Sequence, residues 1–371
     1  MFAKKLFPRL ASILLIGMMV STLAGPVYAA PSLAATTWYV ATTGNDSNSC
    51  SSPASPCLTI NGAIGKAADG DTIFVAVGTY TGAGTEVVLI NKSVTLSGGW
   101  NASFTTQSGM STIDGQSTRS GLIINSGVTV TLERFTIQNG NVNGNGGGIY
   151  NAGTLTINNS SLNNNQATSP ACSLGGGIYN QNSGVLTLNS TTVSANNAGC
   201  YGAGMFNDGG TVTLTDSLVS GNTVSGSGGG ITNWNGVMNV NNSRIGGNTA
   251  SNGDAGGIYI YRGVVTINNS TIDSNKALST FNGYGGAIEL VGDNLILNNS
   301  TVSNNMSYNC GAIYNQTGTI KIYNGTIATN SSTGTTSGGI CNTYVGTVTL
   351  WNSCEPTVVL GAVLVWNDRQ H

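Results

Sequence analysis

A six-residue motif that occurs eight times constrains the fold of this chain more than any other feature. Its first copy reads Gly-Gly-Gly-Ile-Tyr-Asn, and its aliphatic residue is in turn Ile149, Ile178, Met205, Ile231, Ile258, Ile288, Ile313 and Ile340. These residues lie 29, 27, 26, 27, 30, 25 and 27 positions apart. Such a period is typical of stacked repeats, in which a unit buries its apolar face only against its neighbours.

Each unit also contains a stretch in which apolar and polar residues alternate, as Val265, Ile267 and Ile272 do. Alternation with period two predicts strands with one buried face, and the Gly- and Asn-rich segments between them predict turns. We expect about three short strands per unit and about ten to eleven units. Units that stack at about 4.8 Å per coil form an all-β, single-stranded parallel β-helix, or β-solenoid.

One column of the repeat is occupied by asparagine. Its members are Asn165, Asn196, Asn222, Asn248, Asn275, Asn305 and Asn330. Asparagine tolerates the left-handed backbone of a tight turn, and stacked amides hydrogen-bond from coil to coil. The Gly triplets before the core aliphatic residue predict a turn with positive φ.

Composition limits the classes of function. The chain has 371 residues, of which 54 are Gly and only 7% are charged, against about 25% charged residues in an average soluble domain. Gly, Asn, Ser and Thr disfavour long helices, and 7 Pro residues are too few for collagen. With 12 basic and 14 acidic residues, the chain offers no basic patch for nucleic acid. The composition therefore predicts an extracellular β-protein.

Residues 1–29 have the three parts of a secretory signal peptide: a basic start, an apolar run over 10–23 and small residues before a cleavage point at Ala29. The apolar run is shorter than the about 20 residues that a membrane-spanning helix needs. We therefore expect a protein that is secreted or displayed on the cell surface, with no transmembrane segment in the mature chain.

Seven cysteines in an exported chain predict disulfides rather than metal sites. Two pairs follow from their spacing, Cys50 with Cys57 and Cys172 with Cys200, the second across neighbouring coils. Three cysteines remain, and an odd number leaves one of them unpaired: Cys310, Cys341 and Cys354. Their pairing stays open.

The repeats resemble those of right-handed parallel β-helix proteins of the pectin-lyase-like superfamily. Gly285-Gly286-Ala287-Ile288 and Val302-Ser303-Asn304-Asn305 also resemble the GGAI and FxxN repeats of chlamydial polymorphic outer-membrane proteins, with an aliphatic residue in place of Phe. The resemblance covers about residues 120–352. It implies right-handed coils and an N-terminal cap, for which residues 57–67 have the amphipathic spacing of a helix.

These observations divide the chain into four segments. We expect a signal peptide over 1–29, the N-terminal cap and first coils over 30–115, and the repeat β-helix, with coils of about 27 residues, over 116–353. The apolar segment 354–371 is either a C-terminal cap or a truncated end.

The resemblance also implies the parts of an enzyme that cleaves polyuronates, namely clustered acids with a basic residue. The acids of this chain are scattered instead. The grouping nearest to a catalytic set lies on consecutive strands or turns and consists of Asp254, Arg262, Asp273 and Lys276. Calcium binds in the turns of some solenoids, but their Gly-Gly-x-Gly-x-Asp pattern is missing, so no cofactor and no metal are expected.

Aromatic residues form the more suggestive pattern. Five of them follow the core aliphatic residue, so alternation turns them outward: Tyr150, Tyr179, Phe206, Tyr259 and Tyr314. Two more share the column three residues after that core position: Trp234 and Tyr261. Stacked coils align such rings into stripes, which either bind sugar rings or a partner surface or form a purely structural ladder.

These patterns favour a structural or adhesion module, secreted or displayed on the surface, that binds glycans or a partner protein through its repetitive side chains. The alternative is a polysaccharide lyase or glycoside hydrolase of the pectin-lyase-like fold.

Overall fold

The computed structural model of the chain describes residues 35–280, 283–334, 336–343 and 345–353, together with the backbone of strands Val358–Leu360 and Leu364–Trp366. The expected signal peptide and Cys354 lie outside the described residues. The fold is all-β, with about 2% helix. Its strands form a parallel β-solenoid of about 10 turns, which confirms the architecture that the repeats predict.

Four parallel sheets run along the solenoid. Sheet 1 has 13 strands: Thr37–Val40, Thr72–Ala76, Thr95–Trp100, Thr129–Glu133, Thr154–Asn158, Val185–Asn189, Thr211–Thr215, Val237–Asn241, Val264–Asn268, Asn294–Asn298, Thr319–Tyr323, Thr347–Trp351 and Leu364–Trp366. Sheet 2 has 10 strands: Thr79–Tyr80, Ser111–Asp114, Phe135–Gln138, Ser161–Asn163, Thr192–Ser194, Leu218–Ser220, Arg244–Gly246, Thr271–Asp273, Thr301–Ser303 and Thr326–Ala328.

The other two sheets complete each coil. Sheet 3 has 8 strands of two residues: Asn141–Val142, Gln166–Ala167, Asn197–Ala198, Thr223–Val224, Thr249–Ala250, Lys276–Ala277, Met306–Ser307 and Ser331–Ser332. Sheet 4 has 11 strands: Glu86–Ile90, Ser120–Ile124, Ile149–Asn151, Ile178–Asn180, Met205–Asp208, Ile231–Trp234, Ile258–Tyr261, Ile288–Val291, Ile313–Asn315, Ile340–Asn342 and Val358–Leu360.

A repeat coil passes from sheet 4 to sheet 1, then to sheet 2 and sheet 3. The first full motif gives Ile149–Asn151, Thr154–Asn158, Ser161–Asn163 and Gln166–Ala167 in this order. A coil therefore has four strands, and the expected number of three is wrong. The strands of sheet 3 escaped prediction because two residues are too few to show an alternating pattern.

The interior is one continuous apolar cluster from Val40 to Leu350. Sheet 1 supplies two inward residues per coil, such as Leu155 and Ile157, which are both 0% exposed. Beneath sheet 3 a separate small cluster consists of Ala167, Ala198, Ala203, Val224 and Ala250. Because identical positions pair in register, each buried side chain packs on its counterpart in the next coil.

The predicted asparagine column is an amide ladder inside the solenoid. Each Nδ2 donates to the Oδ1 of the next coil over 2.9–3.0 Å, from Asn165 to Asn330. The left-handed turn is made one residue earlier, at Asn164, Ala195, Gly221, Gly247, Ser274, Asn304 and Thr329. The expectation that the ladder residues themselves take the left-handed backbone is wrong, because their side chains point inward.

The Gly triplets do contain the predicted positive φ, at their first residue. Gly146 has φ 74° and Gly175 has φ 64°. A Cβ at the middle residue of the first triplet, Gly147, would lie 2.1 Å from the carbonyl oxygen of Gln166. The triplet therefore combines one left-handed residue with close backbone approach between sheets 3 and 4.

The helix of the described residues, α1 (Ile60–Lys66), lies within the expected cap segment 57–67. Thr59 is its N-cap and accepts the N–H of Gly62 through Oγ1, at 2.9 Å. Ile60, Ala63 and Ile64 are buried and belong to the solenoid core. The first and second strands of sheet 1 pair directly, so the solenoid begins inside the segment expected to form the cap and first coils.

Three disulfides join described cysteines. The expected pairs Cys50–Cys57 and Cys172–Cys200 are both present. The third pair, Cys310–Cys341, was left open by the sequence. Disulfides are typical of oxidising compartments, so these pairs indicate an extracellular protein.

Candidate functional site

The outer face of sheet 4 carries most of the predicted aromatic stripe. Strand register places these residues in one column, from coil to coil: Tyr150, Tyr179, Phe206, Thr232, Tyr259, Glu289 and Tyr314. Trp234 and Tyr261 pair with each other at the end of the same strands. The one-residue offset from the core aliphatic residue thus turns these side chains outward, as the alternation predicts.

Two further tyrosines join this face from the segment that precedes each strand. Tyr201 contacts Phe206 with 6.4 Å between ring centroids, and it stacks on Tyr259 at 5.8 Å. Tyr284 stacks on Tyr314 at 4.3 Å. Both lie four positions before the core aliphatic residue of their coil. Sequence reasoning missed them because they fall in a segment of variable length outside the motif.

Seven rings make one connected surface, which we call the aromatic patch: Tyr150, Tyr179, Tyr201, Phe206, Trp234, Tyr259 and Tyr261. Tyr150 stacks on Tyr179 at 5.2 Å, and Tyr179 stacks on Phe206 at 5.8 Å. Trp234 stacks on Tyr261 at 4.0 Å. Parallel stacking of this kind presents ring faces and edges at the spacing of the coils.

Burial divides the aromatic patch into two roles. Tyr179 and Phe206 are only 6% and 4% exposed, so these two rings are packed rather than turned freely outward. The Tyr179 hydroxyl also donates to Oδ2 of Asp208 at 2.6 Å. The other five rings are half-buried and keep part of their surface in solvent. The structural ladder and the accessible stripe thus coexist on one face.

Two carboxyl side chains interrupt the rings of this face. Glu289 occupies the outward column between Tyr259 and Tyr314. Asp254 lies four positions before Ile258, and its Oδ1 accepts the N–H of Tyr284 in the next coil at 2.9 Å. We call Asp254 and Glu289 the carboxyl pair. The aromatic patch lies on one side of it and the stacked Tyr284–Tyr314 rings on the other.

Glu289 is a buried carboxyl that, among the described residues, lacks a hydrogen-bond partner at one of its oxygens. It is 5% exposed, and its Oε2 is buried without a hydrogen-bond partner. Burial raises the pKa of Glu289 well above its usual value, and the negative charge of Asp254 raises it further. Burial therefore favours the protonated form of the Glu289 carboxyl.

The second carboxyl has a smaller shift. Burial raises the pKa of Asp254 to about 6, against the opposing hydrogen bond from Tyr284. Burial likewise raises the pKa of the Tyr259 and Tyr314 phenols, and the charges of the carboxyl pair add to it. Among the described residues, no Lys or Arg acts to lower the raised pKa of either carboxyl.

The four charged residues that the sequence grouped together lie on different sides of the coil. Asp273 is in sheet 2, where its carboxylate accepts two hydrogen bonds of 2.7 Å from Arg244. Lys276 is exposed in sheet 3, and the Arg262 guanidinium lies 5.5 Å from the ring centroid of Tyr261. Of the four, Asp254 alone belongs to the carboxyl pair.

The signal for Glu289 was present in the motif itself, since Gly285-Gly286-Ala287-Ile288-Glu289 carries an acid where most copies carry an aromatic residue. Among the described residues, no group of three or more His, Cys, Asp or Glu side chains is placed to hold a metal ion. In the same part of the chain, no helix is long and apolar enough to cross a membrane.

The fold and this face define a parallel β-solenoid with an aromatic and acidic outer surface. No protein-family model and no curated protein matches the sequence. Among solved structures, the chain is similar to pectate lyase Pel9A, with 16% identity and a TM-score of 0.49 over 90% of this chain and 78% of that one. It is also similar to the GH136 lacto-N-biosidase from Eubacterium ramulus, with 10% identity and a TM-score of 0.46 over 84% and 68% of the two chains.

A rhamnogalacturonan lyase matches with 13% identity and a TM-score of 0.35, over 84% of this chain and 86% of that one. Likenesses at these identities and TM-scores carry no argument about function, and the parallel β-solenoid is shown by the strand pairing of the chain itself. The resemblance to chlamydial outer-membrane repeats and the handedness of the coils stay predictions.

Proposed function

We propose that this protein is an extracellular β-solenoid that binds neutral glycans on the outer face of sheet 4. The observation that carries the proposal is the aromatic patch, in which five half-buried rings stand on a rigid ladder. Flat aromatic faces pack against the apolar faces of pyranose rings. Coil stacking repeats these faces along one direction, which suits a linear polymer.

The charge of this face favours a neutral ligand over an anionic one. Asp254, with a pKa of about 6, lies beside the patch and offsets the positive charge of Arg262 over Tyr261, so these two groups give the face no net positive charge that would attract a polyuronate. Among the described residues, none of the exposed large hydrophobic side chains lies in sheet 4. A protein partner is therefore less well supported than a glycan, because protein interfaces combine aromatic anchors with aliphatic contact area. Adhesion to a glycan-bearing surface is the biological role within this proposal.

Binding is tested by native affinity electrophoresis of the full chain in gels that contain a soluble neutral glycan, with polygalacturonate as the anionic comparison. The test variant is the double substitution Trp234→Ala and Tyr261→Ala, which removes a half-buried stack at 4.0 Å. The matched control is Tyr323→Ala with Trp351→Ala, which removes a half-buried stack at 4.3 Å on sheet 1.

The proposal expects retardation by at least one neutral glycan and a loss of about tenfold or more in affinity in the sheet 4 variant alone. Equal losses in the two double variants would show that the sheet 4 face has no special part in binding. No retardation by any neutral glycan would overturn the proposal.

A further inference from the structure

The outer face of sheet 1 carries a column of threonines that the proposed function does not use. Strand pairing places its members at the same position of consecutive coils: Thr72, Thr95, Thr131, Thr156, Thr187 and Thr213. All of them are half-buried and alternate along their strands with core residues, so they lie on the outer face. One exposed threonine needs no explanation, but the same residue in so many stacked coils indicates a constraint on this face.

A second column of similar shape lies two residues earlier on the same strands. It mixes threonine with valine: Thr129, Thr154, Val185, Thr211 and Val237. The two residue types have the same branched outline, so this column continues the shape of the first. Val185 and Val237 are 37% and 44% exposed, which leaves apolar methyl groups in solvent. The face therefore repeats one side-chain shape in two directions.

The array is regular and stiff. Neighbouring coils lie about 4.8 Å apart, and outward side chains on one strand repeat at about 6.6 Å. Strand pairing from Thr129–Glu133 to Val237–Asn241 has no register shift, and β-branched side chains have a restricted χ1. No hydrogen bond within the described part of the chain uses the hydroxyls of Thr156, Thr187 and Thr213. These hydroxyls are therefore held in regular positions and can bond outside the chain.

Such an array fits a ligand that itself repeats in two directions. A small soluble molecule contacts only a few groups, whereas a crystal surface contacts many equivalent groups at once, and their weak contributions add. The oxygen atoms of ice repeat at distances comparable to those of this array. Each of them donates and accepts hydrogen bonds, as a threonine hydroxyl does. The exposed methyl groups add apolar contact, which water favours removing from solution.

We propose that the outer face of sheet 1 binds ice through its two columns of threonine and valine. The inference concerns a different face from the glycan proposal and does not rest on it. The members of both columns carry no charge, and a charged side chain would hold water in its own hydration shell rather than in the ice lattice. The columns also contain no aromatic ring, which makes a sugar less well supported as the ligand here.

The test observes single ice crystals in solutions of the full chain and measures thermal hysteresis, the gap between the melting and freezing temperatures. The test variant is Thr156→Lys with Thr187→Lys, in the middle of the threonine column. Lys321 is exposed in the same column, so the fold accommodates lysine at this position. The matched control is Thr271→Lys with Thr301→Lys, which makes the same charge change at two paired, half-buried threonines of sheet 2.

We expect thermal hysteresis and faceted crystals with the wild type and with the sheet 2 variant. The sheet 1 variant should lose both, because two hydrated ammonium groups keep the ice lattice away from the face. Urea midpoints of the three proteins show that each is folded.

A wild type without any effect on ice would overturn the inference, and so would equal losses in the two variants. Sedimentation with microcrystalline cellulose or chitin is the comparison. Co-sedimentation that the sheet 1 variant alone loses, in a chain without effect on ice, would overturn the assignment to ice and give this face to a crystalline glycan. Neither result would change the test of the aromatic patch, which lies on sheet 4.

Discussion

Glu289 and Asp254 have a consequence for stability that is independent of any ligand. A carboxyl whose pKa is raised by folding adds stability below its unfolded pKa of about 4, and this stability is lost as the pH rises through the folded pKa. Both members of the carboxyl pair have raised values. We therefore expect the free energy of unfolding to fall between about pH 4.5 and pH 7.5, with about 1–2 kcal/mol from Asp254 after allowance for its partial exposure.

Urea unfolding at the two ends of this range measures the effect. The double variant Glu289→Gln with Asp254→Asn should lose most of the pH dependence, because neither replacement titrates. Asp71 and Asp114 act in the opposite direction: burial raises the pKa of each, but their hydrogen bonds outweigh it and lower the pKa, so they stay ionised across the range. A double variant with the same pH dependence as the wild type would contradict the shifts of the carboxyl pair.

Ala255, next to Asp254, is a second residue at odds with its repeat position. Its φ is 52°, at a place where Gly146, Gly175 and Gly228 stand in other coils. Ala255→Gly should stabilise the protein by about 0.5–1 kcal/mol, because glycine takes this backbone without strain. The measurement is the urea midpoint, with Ala250→Gly, in the buried strand Thr249–Ala250, as a control that should destabilise. Destabilisation by both changes would mean that the Ala255 methyl group contributes more by packing than its backbone costs.

At the scale of an element, the inner amide ladder is the polar counterpart of the apolar core. Asn248 donates to Asn275 over 2.9 Å and accepts from Asn222 over the same distance, and it is 0% exposed. Asn248→Ala leaves buried donors and acceptors unpaired, so we expect a loss of about 2–3 kcal/mol.

The outer face of sheet 1 offers a matched control. Asn241 accepts from Asn268 over 2.8 Å but is half-buried, so water replaces the lost bond. Asn241→Ala should cost less than about 1 kcal/mol. Chemical unfolding of the two variants compares them directly, and equal losses would show that burial does not decide the strength of the ladder.

The repeat predicted sheets 1, 2 and 4 because alternation and register act on every coil in the same way. It predicted the positive φ of the Gly triplets for the same reason. The repeat predicted that Asn165 and its counterparts adopt the left-handed backbone. In the structure the left-handed residue is the one before, Asn164 and its counterparts. A column of identical residues indicates a shared environment, but the pattern does not say whether backbone or side chain requires the residue.

The candidate site was predicted only in part. Tyr150, Tyr259 and Tyr314 could be placed on the outer face of sheet 4 from the sequence, because they directly follow the core aliphatic residue and strand periodicity fixes the direction of a side chain. The pairing of Asp254 with Glu289 escaped, since it joins different positions of two coils and depends on burial. The repeat shows which residues stack at equivalent positions of neighbouring coils. Contacts between residues at different positions depend on the path of the segment between the sheets, which the repeat does not show.

At the scale of the whole molecule, disulfides tie neighbouring coils together. Cys172–Cys200 and Cys310–Cys341 close segments of 28 and 31 residues. Replacing both cysteines of either pair with Ser should lower the free energy of unfolding by about 2–4 kcal/mol, because the unfolded chain gains freedom. Urea unfolding of the two double variants measures this loss. Unchanged midpoints would show that coil stacking alone holds these segments.

The low charge of the molecule leads to a last prediction about ligand binding. Only 7% of the residues are charged and the formal net charge is −2, so contacts between rings and sugars rather than ion pairs should dominate the affinity. Salt screens ion pairs strongly and ring contacts little. Titration calorimetry with a neutral oligosaccharide should therefore give dissociation constants within about twofold of each other at about 50 and 500 mM NaCl. A loss of affinity of about tenfold at the higher salt would show that charges carry the binding, and the ligand would then have to be ionic rather than neutral.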